Sequence, residues 1–240
     1  MKTMKVATTI CVLILLIAAA LPTAALTTPT QTKPFSGILP DANVPCTFDK
    51  FDMPGYNLTG VTVGLALNIS GGQLGVDNDS TDPGGADFTL ALGATGDLSS
   101  TDVTLWKAPL QPIFAALNIS TGVALHLDAD NGDGVGTLDL TAPDGYDWQG
   151  QPKSDSASGN ISSLYFSDYI GAGTFDVTAA LTQIMNYGQY SGISIQYIPV
   201  TVSGNVNITY EYEPVPEPSG LVALLAGVSG LLGVGFRRRR

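Results

Sequence analysis

The chain of 240 residues is poor in basic residues, in histidine and in cysteine, and each shortage removes a class of chemistry. Ten lysines and arginines face 21 acids. Lys2 and Lys5 stand at the start and Arg237, Arg238, Arg239 and Arg240 at the end, so the stretch between keeps only Lys33, Lys50, Lys107 and Lys153, a charge of −17. A body that acidic repels phosphate backbones, which argues against nucleic acid as a partner and for solubility, divalent cations or basic partners. The single histidine, His126, and Cys46 are far apart in sequence and joined by no known motif, so Cys46 reads as a quiet, partly buried thiol. G-x-S-x-G, H-E-x-x-H, C-x-x-C and phosphate-cradling glycine loops are all missing, and the chain is expected not to be an enzyme. Among 21 acids some pair will lie at the roughly 5 to 9.5 Å separation of glycosidase carboxylates by accident, so acid content alone does not point to a hydrolase.

Helical periodicity is also scarce, with residues 177–187 the one stretch that suggests it. What is abundant is alternation. Val61, Val63, Leu65, Leu67 and Ile69 recur at every second position, as do Phe88, Leu90, Leu92 and Ala94. Val123, Leu125 and Leu127 follow, then Ile193, Ile195 and Tyr197, and finally Val206, Ile208, Tyr210 and Tyr212. Period two places each set on one face of a strand, and the Gly- and Asp-rich breaks between them are turn chemistry. The expected fold is all-β, an antiparallel β-sandwich of jelly-roll or Ig-like type over residues 46–213. Periodicity does not say whether the sheet closes into a barrel.

Both ends carry addressing features. Met1-Lys2-Thr3-Met4-Lys5 is basic, an apolar run of about twelve residues follows, and Pro22 and Thr23-Ala24-Ala25 complete the layout of a signal peptide over 1–25. This predicts an N-terminal helix handled by the Sec translocon and signal peptidase; the run is shorter than the roughly 20 residues of a membrane span. Cys11 leaves with it, so Cys46 has no internal disulfide partner. Residues 26–45, rich in Thr and Pro, read as a flexible entry segment.

The chain closes on Pro216-Glu217-Pro218, eighteen uncharged residues (219–236) and four arginines. As a helix the uncharged run is about 27 Å long, close to the roughly 30 Å of hydrocarbon it would cross. Arg237, Arg238, Arg239 and Arg240 would stop transfer and stay cytoplasmic. The proline pair keeps the motif extended and open to recognition. Residues 214–240 strongly resemble the PEP-CTERM sorting signal. The resemblance implies an exopolysaccharide-producing bacterial host whose exosortase recognises Pro216, Glu217 and Pro218, removes the tail and passes the protein to the surface or matrix.

A second resemblance covers the body. Phe51 with the downstream Leu58-Thr59-Gly60-Val61-Thr62-Val63, Ala86-Asp87-Phe88-Thr89-Leu90, Gly171-Ala172-Gly173-Thr174-Phe175-Asp176-Val177 and Val206-Asn207-Ile208-Thr209-Tyr210-Glu211-Tyr212 look like the choice-of-anchor E domain, an extracellular β-domain found upstream of interchangeable sorting signals. No catalytic residues carry over from it.

Three motifs could bind small ligands. Asp128-Ala129-Asp130-Asn131-Gly132-Asp133-Gly134 offers closely spaced carboxylates on a Gly-bent loop, so Asp128, Asp130 and Asp133 are candidate Ca²⁺ ligands, with Asp139 beyond the turn. Its register is not that of an EF-hand, and the plainer reading is an acidic hairpin loop between a strand at Val123 and one at Val135. Asp77-Asn78-Asp79-Ser80-Thr81-Asp82-Pro83-Gly84-Gly85 has the same look with stronger turn character. Tyr146 and Trp148 could form a platform for a sugar ring, or cap the core. Asn57, Asn68, Asn78, Asn118, Asn160 and Asn207 head Asn-x-Ser/Thr sequons, five with Leu or Ile in the middle, a pattern that half-buried strands produce by themselves. The combined expectation is a secreted or cell-envelope protein: an inner-membrane intermediate first, then a structural or adhesive component of the cell surface or extracellular matrix. The alternative is a carbohydrate-binding module that retains exopolysaccharide with calcium.

Overall fold

The computed structural model describes residues 25–133, 136–188 and 191–215. Along the chain run strands β1 (Leu26–Thr27), β2 (Gln31–Ile38), β3 (Ala42–Asp49), β4 (Tyr56–Ser70), β5 (Gln73–Asp77), β6 (Ala86–Ser99) and β7 (Trp106–Ala108). Then come β8 (Gln111–Pro112), β9 (Leu117–Leu127), β10 (Gly145–Gln149), β11 (Lys153–Asn160), a 3₁₀ helix (Ser163–Tyr169), β12 (Thr174–Asn186), β13 (Ser194–Ile198) and β14 (Thr201–Pro214).

The described residues fall into two compact units. The smaller comprises residues 25–27, 53–59 and 211–215. In it Leu26 pairs with Tyr212, the Tyr56 ring meets Tyr212 edge-on at 5.2 Å, and the Val215 N–H donates to the Gly55 carbonyl at 2.9 Å.

The larger unit, residues 28–52 and 60–210, is all-β and antiparallel. Here one sheet runs β14-β4-β11, with β2 also paired to β14; a second runs β3-β12-β6-β9; a third, smaller one runs β10-β5-β13. The alternation acts as expected: Val61, Val63, Leu65, Leu67 and Ile69 of β4 are buried, as are Phe88, Leu90, Leu92 and Ala94 of β6. These rows interdigitate between the first two sheets. A Cβ placed on Gly96 of β6 would lie 2.6 Å from Leu67 Cδ1 and 3.0 Å from Leu65 Cδ2 of β4, so the glycine is where the facing leucines fit. This arrangement is consistent with a β-sandwich. The core includes a buried aromatic cluster, with Phe175 tilted on Phe48 at 5.9 Å and edge-to-face with Tyr169 at 5.4 Å.

Three sequence expectations change. Residues 26–45 contain β2 and the first half of β3, with Phe35 buried, so ordered structure starts well before Cys46. Residues 177–187 lie mostly in strand β12, where Val177, Ala179 and Leu181 are buried at period two. Val135, where a hairpin strand was expected, lies outside the described residues, and residues 136–144 form no strand before β10. The expected signal peptide, apart from Ala25, and residues 216–240 lie outside the described residues, and no helix among the described residues is long and apolar enough to cross a membrane.

Candidate functional site

The two Asp-rich runs meet. In the β6–β9 ladder Ala86 pairs with Leu127, so the loop entering β6 and the loop leaving β9 start from adjacent strand ends. Gly85 makes the close approach: its φ is +63°, and a Cβ there would lie 2.3 Å from the Leu127 carbonyl oxygen. The Asn78 side-chain amide donates to the Asp128 carbonyl at 2.6 Å, and the Asp130 N–H donates to the Ser80 carbonyl at 2.9 Å. A third segment, just before β10, joins them: the Asp128 N–H donates to the Pro143 carbonyl at 3.1 Å and the Asn78 N–H to the Asp144 carbonyl at 3.0 Å.

These backbones enclose acids. Asp77, Asp79 and Asp144 keep only 1%, 5% and 0% of their surface exposed. Asp144 is satisfied, accepting the Asn131 N–H on Oδ2 at 2.7 Å and the Asn131 side-chain amide on Oδ1 at 2.9 Å. Asp77 accepts the Asp139 N–H on Oδ2 at 2.8 Å, and Asp79 accepts the Ser194 hydroxyl on Oδ2 at 2.7 Å. Their other oxygens, Asp77 Oδ1 and Asp79 Oδ1, are buried with no hydrogen-bond partner among the described residues. One carboxylate oxygen from each of Asp77, Asp79 and Asp133 lies within 4.8 Å of the other two, and Asp130, Asp133 and Asp144 form a second such group. Among the described residues no lysine, arginine or histidine forms an ion pair with any of the five.

Clustered buried carboxylates without a counter-charge are costly, and they respond by holding protons or cations. Burial pushes the Asp77 carboxyl above its ordinary value of 3.8, and the charges of Asp79, Asp133 and Asp144 add to that, while the Asp139 N–H pulls the other way. A raised folded-state value means that the folded chain binds this proton more tightly than the unfolded chain does. In chelator, the Asp77 contribution to stability is therefore greatest below 3.8 and is lost as pH rises through the folded value. Urea unfolding across that window should show the wild type losing stability relative to Asp77→Asn as pH rises; parallel profiles would contradict the assignment.

Of the sequence-predicted ligands, the cluster includes Asp130 and Asp133 but not Asp128, which is exposed and takes part through its backbone. The sequence reading missed Asp77, Asp79 and Asp144 as members of one cluster. The expected sugar platform is not formed as drawn. Tyr146 is exposed, but Trp148 retains 7% exposure and is packed into the core, opposite Leu74 of β5. In the five sequons with an apolar middle residue, that residue is buried: Leu58, Ile69, Ile119, Ile161 and Ile208. Asn78 is itself buried. Cys46 is buried, and burial raises its thiol pKa, away from a nucleophile's range. Pro216, Glu217, Pro218 and the four terminal arginines lie outside the described residues.

An open cleft of about 610 Å³ lies elsewhere, lined by Trp106, Tyr165, Asp97, Asp102 and Asp168 among others. Trp106 is 37% exposed and meets Tyr165 edge-to-face at 6.0 Å. Asp168 accepts the Thr104 N–H at 3.0 Å and Asp102 the Asp176 N–H at 2.9 Å, so both carboxylates brace backbone.

No family model matches the chain, and no curated protein matches it. Solved structures with some likeness include T=1 particles derived from infectious bursal virus, 12% identical over 82% of this chain and 43% of that chain, with a TM-score of 0.19. Another is the Gt strain of infectious bursal disease virus, 14% identical over 88% of this chain and 50% of that chain, with a TM-score of 0.14. The chain spans half or less of those chains' length, and likenesses this distant carry no argument about it.

Proposed function

We propose that the chain is an exported structural or adhesive component of the cell surface or extracellular matrix, built on a β-sandwich of jelly-roll or Ig-like type. Residues 1–25 direct it through the Sec translocon. An exosortase releases it from an inner-membrane intermediate by recognising Pro216, Glu217 and Pro218. The observation that carries this reading is the order of the tail: an extended motif, eighteen uncharged residues and then four arginines, with length and charge suited to a transient span. An acidic body with few basic residues suits a protein that must remain dispersed outside the cell. Deleting the exosortase in the native host is expected to hold the protein in the membrane fraction; unchanged surface amounts would contradict the proposal.

The second reading, a carbohydrate-binding module, is favoured by the cleft that exposes Trp106 beside Tyr165, since an exposed indole face suits sugar stacking. Retention on host exopolysaccharide that is lost in Trp106→Ala would support it, and absence of retention in the wild type would leave the structural role.

A further inference from the structure

We propose that Asp77, Asp79 and Asp133 bind one calcium ion, which ties the loop entering β6 to the loop leaving β9. The inference is independent of how the chain is sorted. It rests on two separate observations. The first is geometric: an ion about 2.4 Å from each of two carboxylate oxygens spans up to about 4.8 Å between them, and the ligand oxygens of these three residues fall within that span. The second is the state of the buried atoms. Asp77 Oδ1 and Asp79 Oδ1 are enclosed and without partners, while the second oxygen of each carboxylate is fixed by Asp139 or Ser194. Asp77 and Asp79 are thus each held on one oxygen, and the other stays buried and free to take a ligand.

The donor set selects the cation. All three groups are carboxylates, and Asp130 and Asp144 stand beside Asp133, so the environment is hard oxygen with high negative charge. Both sets of three consist of aspartates alone; Cys46 lies away on β3 and His126 joins neither, so nitrogen and sulfur, the ligands preferred by zinc and copper, are not part of the set. Calcium accepts six to eight oxygens in flexible arrangements, and loop carbonyls and water can complete its shell. Asp144 takes a supporting role: with both oxygens on Asn131, it holds the 128–133 loop where Asp133 reaches the buried pair.

The test uses the full chain, purified in detergent, stripped with chelator and titrated with CaCl₂. Calorimetric titration should give one ion per chain, and calcium at 100 times its dissociation constant should raise Tm by about 5–11 °C. In Asp79→Asn and in Asp133→Asn the rise should be lost, and calcium-free Asp79→Asn should melt no lower than the calcium-free wild type, because a buried repulsion is removed. Asp133 is exposed, so its variant remains informative if the buried one fails to fold. Asp155→Asn, at an exposed position on β11, should keep the full rise. No rise in the wild type at 10 mM calcium, about ten times the roughly 1 mM dissociation constant of the weakest extracellular modules, would overturn the site. So would an undiminished rise in both Asp79→Asn and Asp133→Asn, and an equal rise with magnesium would overturn the choice of calcium.

Discussion

Phe175→Ala is expected to lower stability by about 3–5 kcal/mol, the range for truncating a fully buried aromatic ring. Phe175 on β12 is 1% exposed and stands between Phe48 of β3 and Tyr169 at the end of the 3₁₀ helix. Its removal opens a cavity that neither neighbour can readily fill. The Phe48 ring is fully buried, and Tyr169 is tethered by its hydroxyl, which donates to the Thr104 carbonyl at 2.8 Å. Because domains of this kind are stable by about 5–15 kcal/mol in total, the variant should lie near the edge of folding. Phe175→Leu, which keeps most of the volume, should cost about half as much or less. Urea unfolding monitored by intrinsic fluorescence gives both values; a loss below about 1 kcal/mol for the alanine variant would show that this cluster does not organise the core.

The second large effect is expected at the opposite end of the account. Replacing Pro216, Glu217 and Pro218 together by alanine should abolish release and leave the protein membrane-bound. The uncut span of residues 219–236 is long enough to remain in the bilayer, and each arginine behind it costs about 2.5–3.5 kcal/mol to carry to the bilayer centre. The chain therefore neither slips forward nor falls back. Fractionation of the native host should find the variant in the membrane pellet. Wild-type amounts at the surface would mean that the motif is not what is recognised.

Calcium would turn an acid cluster that is costly when bare into a cross-link between two loops.

The main strands were legible because their faces differ sharply. In β4 and β6, each alternating apolar residue named from the sequence is buried, so period and burial coincide. β12 misled because Val177, Leu181 and Ile184 also recur at spacings of three and four, which mimics a helical stripe. β2 and β3 were hidden by Pro34 and Pro45. Both prolines are tolerated because β3 is an edge strand and β2 pairs with β14 alone, so an absent N–H need leave no ladder unpaired. The acid cluster was half legible. Each Asp-rich run announced a loop, but that the two converge depends on the Ala86–Leu127 register, a long-range fact that local composition does not contain. Trp148 looked like a binding residue for a similar reason: its position opposite Leu74 is set by the β10–β5 ladder and not by its neighbours in sequence.

The central claim is that the chain reaches the cell exterior by being cut beside its C-terminal span. Intact-mass spectrometry of the protein recovered from the native host's medium and matrix tests it most directly. The account predicts a mature chain that starts near residue 26 and lacks residues 219–240. A recovered chain that still carries Arg237, Arg238, Arg239 and Arg240 would contradict it.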